Sequence, residues 1–457
     1  MIISLKKDDQ PGCSRTSLRI TAVSRLKYSS FFILIFLTIS CTEKNDYKLW
    51  EIYGGSSQKT QYSALSEIDT NNVKNLQVAW VYRTRDAEPS SQLQVNCIVV
   101  DNVLYGVSPK LRLFAVDPET GVEKWVFDPA TEPSIKKQGV NICRGIAFYN
   151  GNGNDKLILY TVGSNLICID VNAGKPLPTF GNEGNIDLHN DLGRDVSKSH
   201  VTSTTPGIIY KDLIIVGIAT SENANAAPGH IRAYDVHTGK LRWIFHTIPY
   251  PGEAGYESWE DPEAYKHIGG VNVWAGFSLD EERGIVFAPT GSATDDWYGG
   301  KRLGNNLFAN SVIALEASSG KLKWSFQTVH HDVWDRDLPA APVLASVLKD
   351  GKSIDAVVQV TKTGFLFLLD RESGKPIYPV EEQPVPTQTD LLGERLSPTQ
   401  PYPTFLKPLI RQSFSEKDLF KDIPDSSYED IKERFLSYKS GHLLIRLRLL
   451  PLSSFQE

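Results

Sequence analysis

Ala115–Phe127 reads AVDPETGVEKWVF, and close copies return as AYDVHTGKLRWIF at Ala233–Phe245 and ALEASSGKLKWSF at Ala314–Phe326. Two looser copies keep the turn but lose the tryptophan: CIDVNAGKPLPTF at Cys168–Phe180 and LLDRESGKPIYPV at Leu368–Val380. NLQVAWVYRT, around Trp80, reads as an opening copy without its turn. Each full copy parses as a hairpin. A short apolar strand runs into an acidic residue, and a turn closes at Gly121, Gly174, Gly239, Gly320 or Gly374, where a positive φ costs glycine least. The second strand carries Trp125, Trp243 or Trp324 with an aromatic two residues on, so period-two alternation puts both rings on one face. A large indole recurring at one place in successive sheets reads as a wedge between neighbours.

The copies start about 53 to 81 residues apart, room for a four-stranded sheet with loops of variable length. Strand-like runs fill the gaps at Cys97–Tyr105, Leu157–Val162, Leu213–Ile218, Ile285–Ala288 and Ala356–Val360. Repeated all-β units of this size predict a β-propeller. The competing reading is a series of β-sandwiches with coincidental turns, which leaves the tryptophan register without a cause.

The composition agrees. The chain has 457 residues, 41% hydrophobic and 22% charged, with 34 Gly, 26 Pro and 9 Trp, a globular and turn-rich profile. A net charge of −6 and the lack of a basic patch give no footing for nucleic acid, which is held through clustered Lys and Arg. Arg15, Arg19, Arg25 and Lys27 precede the apolar run Phe31–Ile39. That run is too short to span a bilayer but fits the apolar region of a secretion signal. Leu37-Thr38-Ile39-Ser40-Cys41 follows and has the form of a bacterial lipobox, Thr38 being its imperfect position. The expectation is a signal peptide over residues 1–40, a lipid on Cys41, and a tether over 41–48, placing the protein in the cell envelope facing the periplasm. An uncleaved anchor with an incidental cysteine is the alternative. Cys97, Cys143 and Cys168 are too few and scattered for a disulfide framework or a zinc site, though one bridge is open to them.

Between the hairpins stand Trp50 with Tyr53-Gly54-Gly55, Cys143-Arg144-Gly145, the block His330-His331-Asp332-Val333-Trp334-Asp335-Arg336-Asp337-Leu338-Pro339, and Lys362-Thr363-Gly364 followed by Leu369-Asp370-Arg371. With the tryptophan hairpins, these resemble the quinoprotein dehydrogenases that use pyrroloquinoline quinone (PQQ), and in order and spacing the membrane glucose dehydrogenase branch. The resemblance covers Leu49–Gly441. It implies an all-β, eight-bladed propeller with the cofactor in an axial funnel, of which residues 49–441 account for about five to six blades. Residues 442–457 resemble nothing in the family. The expectation is a chain cut short or shifted in frame at its C-terminus, or a short variant whose ring closes by another route.

The resemblance also assigns roles. Such enzymes take a hydride equivalent from a carbinol carbon to the quinone and need a general base, a Lewis acid and cations for the cofactor carboxylates. Asp335 matches the base and also a calcium ligand; Glu222 and Asn223 match the acidic metal-ligand segment. Lys362 matches the cation at the quinone oxygens. Arg144 matches the grip on a cofactor carboxylate, which suits a guanidinium fork. Trp274 matches the indole beneath the flat cofactor, and Thr204 is chosen from Thr202–Thr205 for a hydroxyl near it. Taken alone, each has a plainer reading: a loop cap for Asp335, a polar loop for Glu222 and Asn223, a solvated turn for Lys362, an inter-blade ion pair for Arg144, core packing for Trp274. Thr290-Gly291-Ser292 departs from the Thr-Gly-Asn of alcohol-oxidising relatives, and Gln138–Asn141 lacks a histidine of glucose-oxidising ones. The implied reaction is PQQ- and calcium-dependent oxidation of a sugar or alcohol, with electrons passing to a quinone or cytochrome. The alternatives are a non-catalytic binding propeller of the envelope and an inactive fragment.

Overall fold

The computed structural model describes residues 47–135, 142–438 and 441–444, together with the strand Ile2–Ser4. Apart from Ile2–Ser4, the expected signal peptide over residues 1–40 lies outside the described residues, as do Cys41, the stretch Gln138–Asn141 and residues 445–457. No helix among the described residues is long and apolar enough to cross a membrane.

Among the described residues, five antiparallel sheets of three or more strands follow one another along the chain. The first spans strands 98–100, 103–107, 113–116 and 123–127, and the second begins at 147–150 and continues through 156–162, 165–170 and 175–176. The third uses 208–210, 213–216, 231–235 and 241–245; the fourth 278–280, 285–289, 311–316 and 322–327; the fifth 343–349, 352–360 and 366–370. The strands named pair with their neighbours in sequence, an up-and-down meander, and in the second sheet Asn185–Asp187 adds a further pairing with Asn165–Ile167. The inner strands of the first four sheets are almost wholly buried, as Ile285–Pro289 shows, whereas the last strand of a sheet is half exposed and the middle strand of the fifth, Lys352–Val360, is buried only in its second half. Apolar side chains from adjacent sheets merge into shared clusters, so the core lies between sheets rather than inside any one.

The hairpin repeat sets the spacing of the sheets. In each turn the closing glycine donates to the carbonyl of the residue four before it: Asp117, Asp170, Asp235, Glu316 and Asp370. The aspartate carboxylates cap the same turns, Asp235 accepting the backbone N–H of Thr238 at 3.0 Å and Asp370 that of Ser373 at 2.9 Å. The tryptophan of one sheet then lies on the turn of the next. A Cβ at Gly374 would sit 2.5 Å from Trp324 Cδ2, and one at Gly121 2.5 Å from Trp80 Cε3. Gly174 faces Trp125, and Gly320 faces Trp243 in the same manner. The indole N–H donates to a carbonyl three residues before that glycine: Trp80 to Pro118, Trp243 to Ala317 and Trp324 to Arg371, each at 3.1 Å. The alanine opposite each tryptophan (Ala115, Ala233, Ala314) is the small partner that admits it. The second sheet has no tryptophan, and Gly239 of the third sheet packs instead on the backbone of Gly181.

Two details differ from the sequence reading. Cys97, Cys143 and Cys168 are free thiols, so the bridge left open to them is not formed. Of the region read as an aberrant tail, His442–Leu444 pack into the fold. Leu443 donates to the Gln412 carbonyl at 2.8 Å, and Leu444 is buried with Val329, Val333 and Trp334.

Candidate active site

The connections between sheets and the loops between second and third strands converge on one side. Arg144 precedes the second sheet, and Asn272 and Trp274 precede the fourth. Glu222 and Ser292 lie on loops between second and third strands, of the third and fourth sheets respectively. Asp335 and Asp337 precede the fifth sheet, and Lys362 sits in the loop between its second and third strands. Together these residues line a cavity of about 390 Å³. It contains Arg144, Thr204, Glu222, Trp274, Asp335 and Lys362, residues scattered over more than two hundred positions. Asn223 is exposed and lies outside the lining. Its N–H donates to Ser221 Oγ at 3.2 Å in a turn that carries Glu222 to the wall.

Lys362 bridges two carboxylates. Its ammonium donates to Asp335 Oδ1 at 2.9 Å and pairs with Asp337 Oδ1. Burial works against the charge, but the hydrogen bonds and charges of Asp337 and Asp335 outweigh it and raise the lysine pKa. Asp337, itself buried, also accepts the Trp274 indole N–H. Burial pushes its carboxyl up to about 6 even though Lys362 opposes the shift. The Arg144 guanidinium donates to Thr204 Oγ1, and its centre lies 5.7 Å from the Trp274 ring centroid. The indole and both cations thus border one space.

Asp335 does not cap its loop; Asp332 does. Asp332 Oδ2 accepts from Ser292 Oγ at 2.5 Å, Asn310 Nδ2 at 3.0 Å and the Arg336 N–H at 2.6 Å, while Oδ1 accepts the Trp334 N–H at 3.0 Å. Buried Arg302 donates to the Asp332 carbonyl at 2.6 Å and to the Asp295 carbonyl at 2.8 Å. This network holds His331 at φ +44° and Asp335 at φ +53°. Left-handed backbone at two non-glycine residues persists only where the surroundings fix it, and its result is an Asp335 side chain on the cavity wall.

The sequence reading missed Asp296, Asp337 and Asn272. Asp296 lies in the cavity with Glu222, and its Oδ1 is buried without a partner in the protein. Burial pushes its carboxyl up to about 8, with the charges of Asp332, Asp335 and Glu222 adding to the shift. Asp337 and Asn272 each stand two residues from a residue that was identified, Asp335 and Trp274, so side-chain alternation was an available signal. Asp296, inside Thr294-Asp295-Asp296, had no comparable pointer.

Residues 50–445 match the family model described as PQQ: glucose/ethanol/alcohol dehydrogenase, β-propeller domain. The chain belongs to this PQQ dehydrogenase family. This family member is 35% identical over 408 residues to quinoprotein glucose dehydrogenase A of Acinetobacter calcoaceticus, covering 81% of this chain and 49% of that protein. It is 34% identical over 372 residues to quinoprotein glucose dehydrogenase of Escherichia coli K12, covering 77% and 46%. Among solved structures, the quinohemoprotein alcohol dehydrogenase ADHIIG of Pseudomonas putida HK5 superposes with a TM-score of 0.62 at 26% identity, over 73% of this chain and 49% of that one. The PQQ-family chain therefore spans about half the length of the curated relatives it matches. The β-propeller architecture and the glucose-dehydrogenase-type resemblance read from the hairpins are borne out.

Proposed function

We propose that this chain carries the cofactor- and metal-binding face of a PQQ- and calcium-dependent dehydrogenase acting on a sugar or alcohol hydroxyl. The observation that carries the reading is the convergence of Asp335, Lys362, Arg144, Trp274 and Glu222 in one cavity.

The residues fit the two groups. A planar, multiply anionic cofactor needs a flat aromatic wall and fixed cations, and Trp274, Arg144 and Lys362 supply them. A hard divalent cation needs oxygen ligands. Glu222, Asp296 and Asp335 offer carboxylates, and Asn272, Ser292 and Thr294 offer neutral oxygens on the same wall. Among the described residues, no three His, Cys, Asp or Glu side chains converge as a complete metal site. Calcium would therefore draw on those neutral oxygens as well. The unpartnered Oδ1 of Asp296 and its raised pKa are what a carboxylate cluster without its cation should show. When bound, PQQ supplies the quinone that accepts the hydride equivalent, and calcium polarises it. Asp335 accepts the proton of the substrate hydroxyl. Lys362 holds Asp335 in place, and Arg144, steadied by Thr204, grips a cofactor carboxylate.

The electrons are proposed to pass to a quinone or another respiratory acceptor, and Cys41 to carry a lipid that tethers the protein to the envelope. Labelling of Cys41 by a radioactive fatty acid in the expressing cell checks the anchor; an unlabelled chain would remove it. The enzymatic reading is checked by loading the full chain with PQQ and calcium and following reduction of an artificial dye. A folded, PQQ-loaded protein inert toward a broad panel of sugars and alcohols would refute it.

Two further outcomes are expected. Calcium should raise the thermal midpoint of the wild-type chain, by about 2.7 kcal/mol of stabilisation at a hundredfold excess over Kd. Asp296→Asn should lose most of that gain, read by scanning calorimetry in EGTA and in calcium. An equal gain in the variant would exclude Asp296 from the site. Arg144→Ala should weaken PQQ binding by roughly ten- to a hundredfold, the worth of a charge-assisted hydrogen bond, measured by calorimetric titration.

A further inference from the structure

A second cavity of about 600 Å³ lies on the other side of Asp335 and Lys362, which line both spaces. Its remaining wall is built from Trp297, Trp334 and Arg336 and from the segment that follows the fifth sheet, including Arg411 and Phe414. The two spaces differ in charge. The first is lined by four carboxylates (Glu222, Asp296, Asp335, Asp337) against two cations, Arg144 and Lys362. In the second, among the described residues, Asp335 is the one acidic side chain in the lining, against Arg336, Lys362 and Arg411.

Two of those three cations are already neutralised. Lys362 pairs with Asp335 and Asp337, and Arg411 pairs with Asp418 at 2.8 Å. Arg336 differs. Among the described residues it makes no ion pair, its Nε is buried without a partner, and its NH2 group reaches only the Leu443 carbonyl at 3.4 Å. Trp334, 4% exposed, also has its indole Nε1 buried without a partner in the protein. A guanidinium without a counter-charge on a cavity wall is costly unless an anion joins it. Arg336 follows Asp335 directly, so an anion on its fork stands close to the proposed base.

We infer that this second cavity is the substrate subsite and that it takes a polyhydroxy carboxylate. The carboxylate sits on the Arg336 guanidinium, and a hydroxyl faces Asp335. A neutral sugar leaves the guanidinium without its counter-charge. The inference rests on the dehydrogenase reading for its chemistry, although not for its binding.

The test uses the full chain, loaded with PQQ and calcium, and compares D-gluconate with D-glucose, which share six carbons and differ in charge. Gluconate should be the better substrate by about tenfold or more in kcat/KM, with the gap narrowing as salt is added. In Arg336→Gln the gluconate-to-glucose ratio should fall by about tenfold or more, and Arg336→Lys should recover part of it. Calorimetric titration of gluconate onto the chain without PQQ should show binding that Arg336→Gln removes. Glucose oxidised as well as gluconate, with a ratio unmoved by Arg336→Gln, would overturn the subsite and leave the dehydrogenase standing. Gluconate bound through Arg336 but never oxidised would keep the subsite and overturn the dehydrogenase. Should Arg336→Gln fail to fold, the wild-type ratio and its salt dependence still decide.

Discussion

Asp335→Asn is expected to lower kcat by roughly 10²–10⁴-fold, the usual worth of a general base, while PQQ binding by calorimetry changes little. Three carboxylates compete for the role within one loop. Asp332 is buried and accepts four hydrogen bonds, so its lone pairs are committed to holding the loop together. Asp337 is buried against the Trp274 indole and Lys362. Asp335 is the one that borders both cavities, and among the described residues its hydrogen-bond partner is Lys362 alone. The amide keeps the size of the carboxylate and removes its basicity, so a loss of turnover with retained cofactor is a loss of proton transfer. Dye reduction by the loaded variant measures it. Retention of more than a tenth of wild-type kcat would move the role to Asp337, and Asp337→Asn would then show the larger defect. Asp332→Asn should fail differently, through lowered stability, because it disturbs the bonds that hold His331 and Asp335 at positive φ.

The architecture was legible because each hairpin states its own geometry. An acidic turn residue, a glycine at positive φ and a tryptophan in fixed register are local features, and each survives in the text without knowledge of the neighbouring sheet. The site was legible only through resemblance. Arg144 and Lys362 stand 218 residues apart, a separation read directly from their numbers, and no local pattern says that they border one space. Asp296 went unseen for the same reason in sharper form: its importance comes from burial beside Asp332, Asp335 and Glu222, which no short stretch of sequence encodes. Glu222 and Asn223 show the limit of adjacency. In a tight turn, consecutive side chains diverge, and only the first reaches the cavity. Arg336 was quoted as part of a block and given no role, because an arginine is distinctive only when its surroundings withhold a partner.

The wedge between sheets gives the largest expected effect on stability. Trp324→Ala should cost about 3–5 kcal/mol, the range for a buried tryptophan cut back to alanine. Trp324 is 8% exposed, packs 5.7 Å from Phe287 between ring centroids, and donates its indole N–H to the Arg371 carbonyl of the next sheet. Gly374→Ala attacks the same junction from the other side. The new Cβ would meet the indole at 2.5 Å, and the residue sits at φ +69°, where an L side chain costs about 1–2 kcal/mol by itself. In the double variant the indole is gone and the Cβ enters the space it leaves. The two losses should then fall short of adding, by about 1–3 kcal/mol, while the backbone cost at residue 374 remains. Urea titrations followed by far-ultraviolet circular dichroism give the four free energies, with m-values compared so that a change in the unfolded state is not read as a contact. Strict additivity would mean that indole and glycine do not touch. The rule joining one sheet to the next would then have to be sought in the interleaved apolar cores, where Phe287, Leu338 and Phe367 meet.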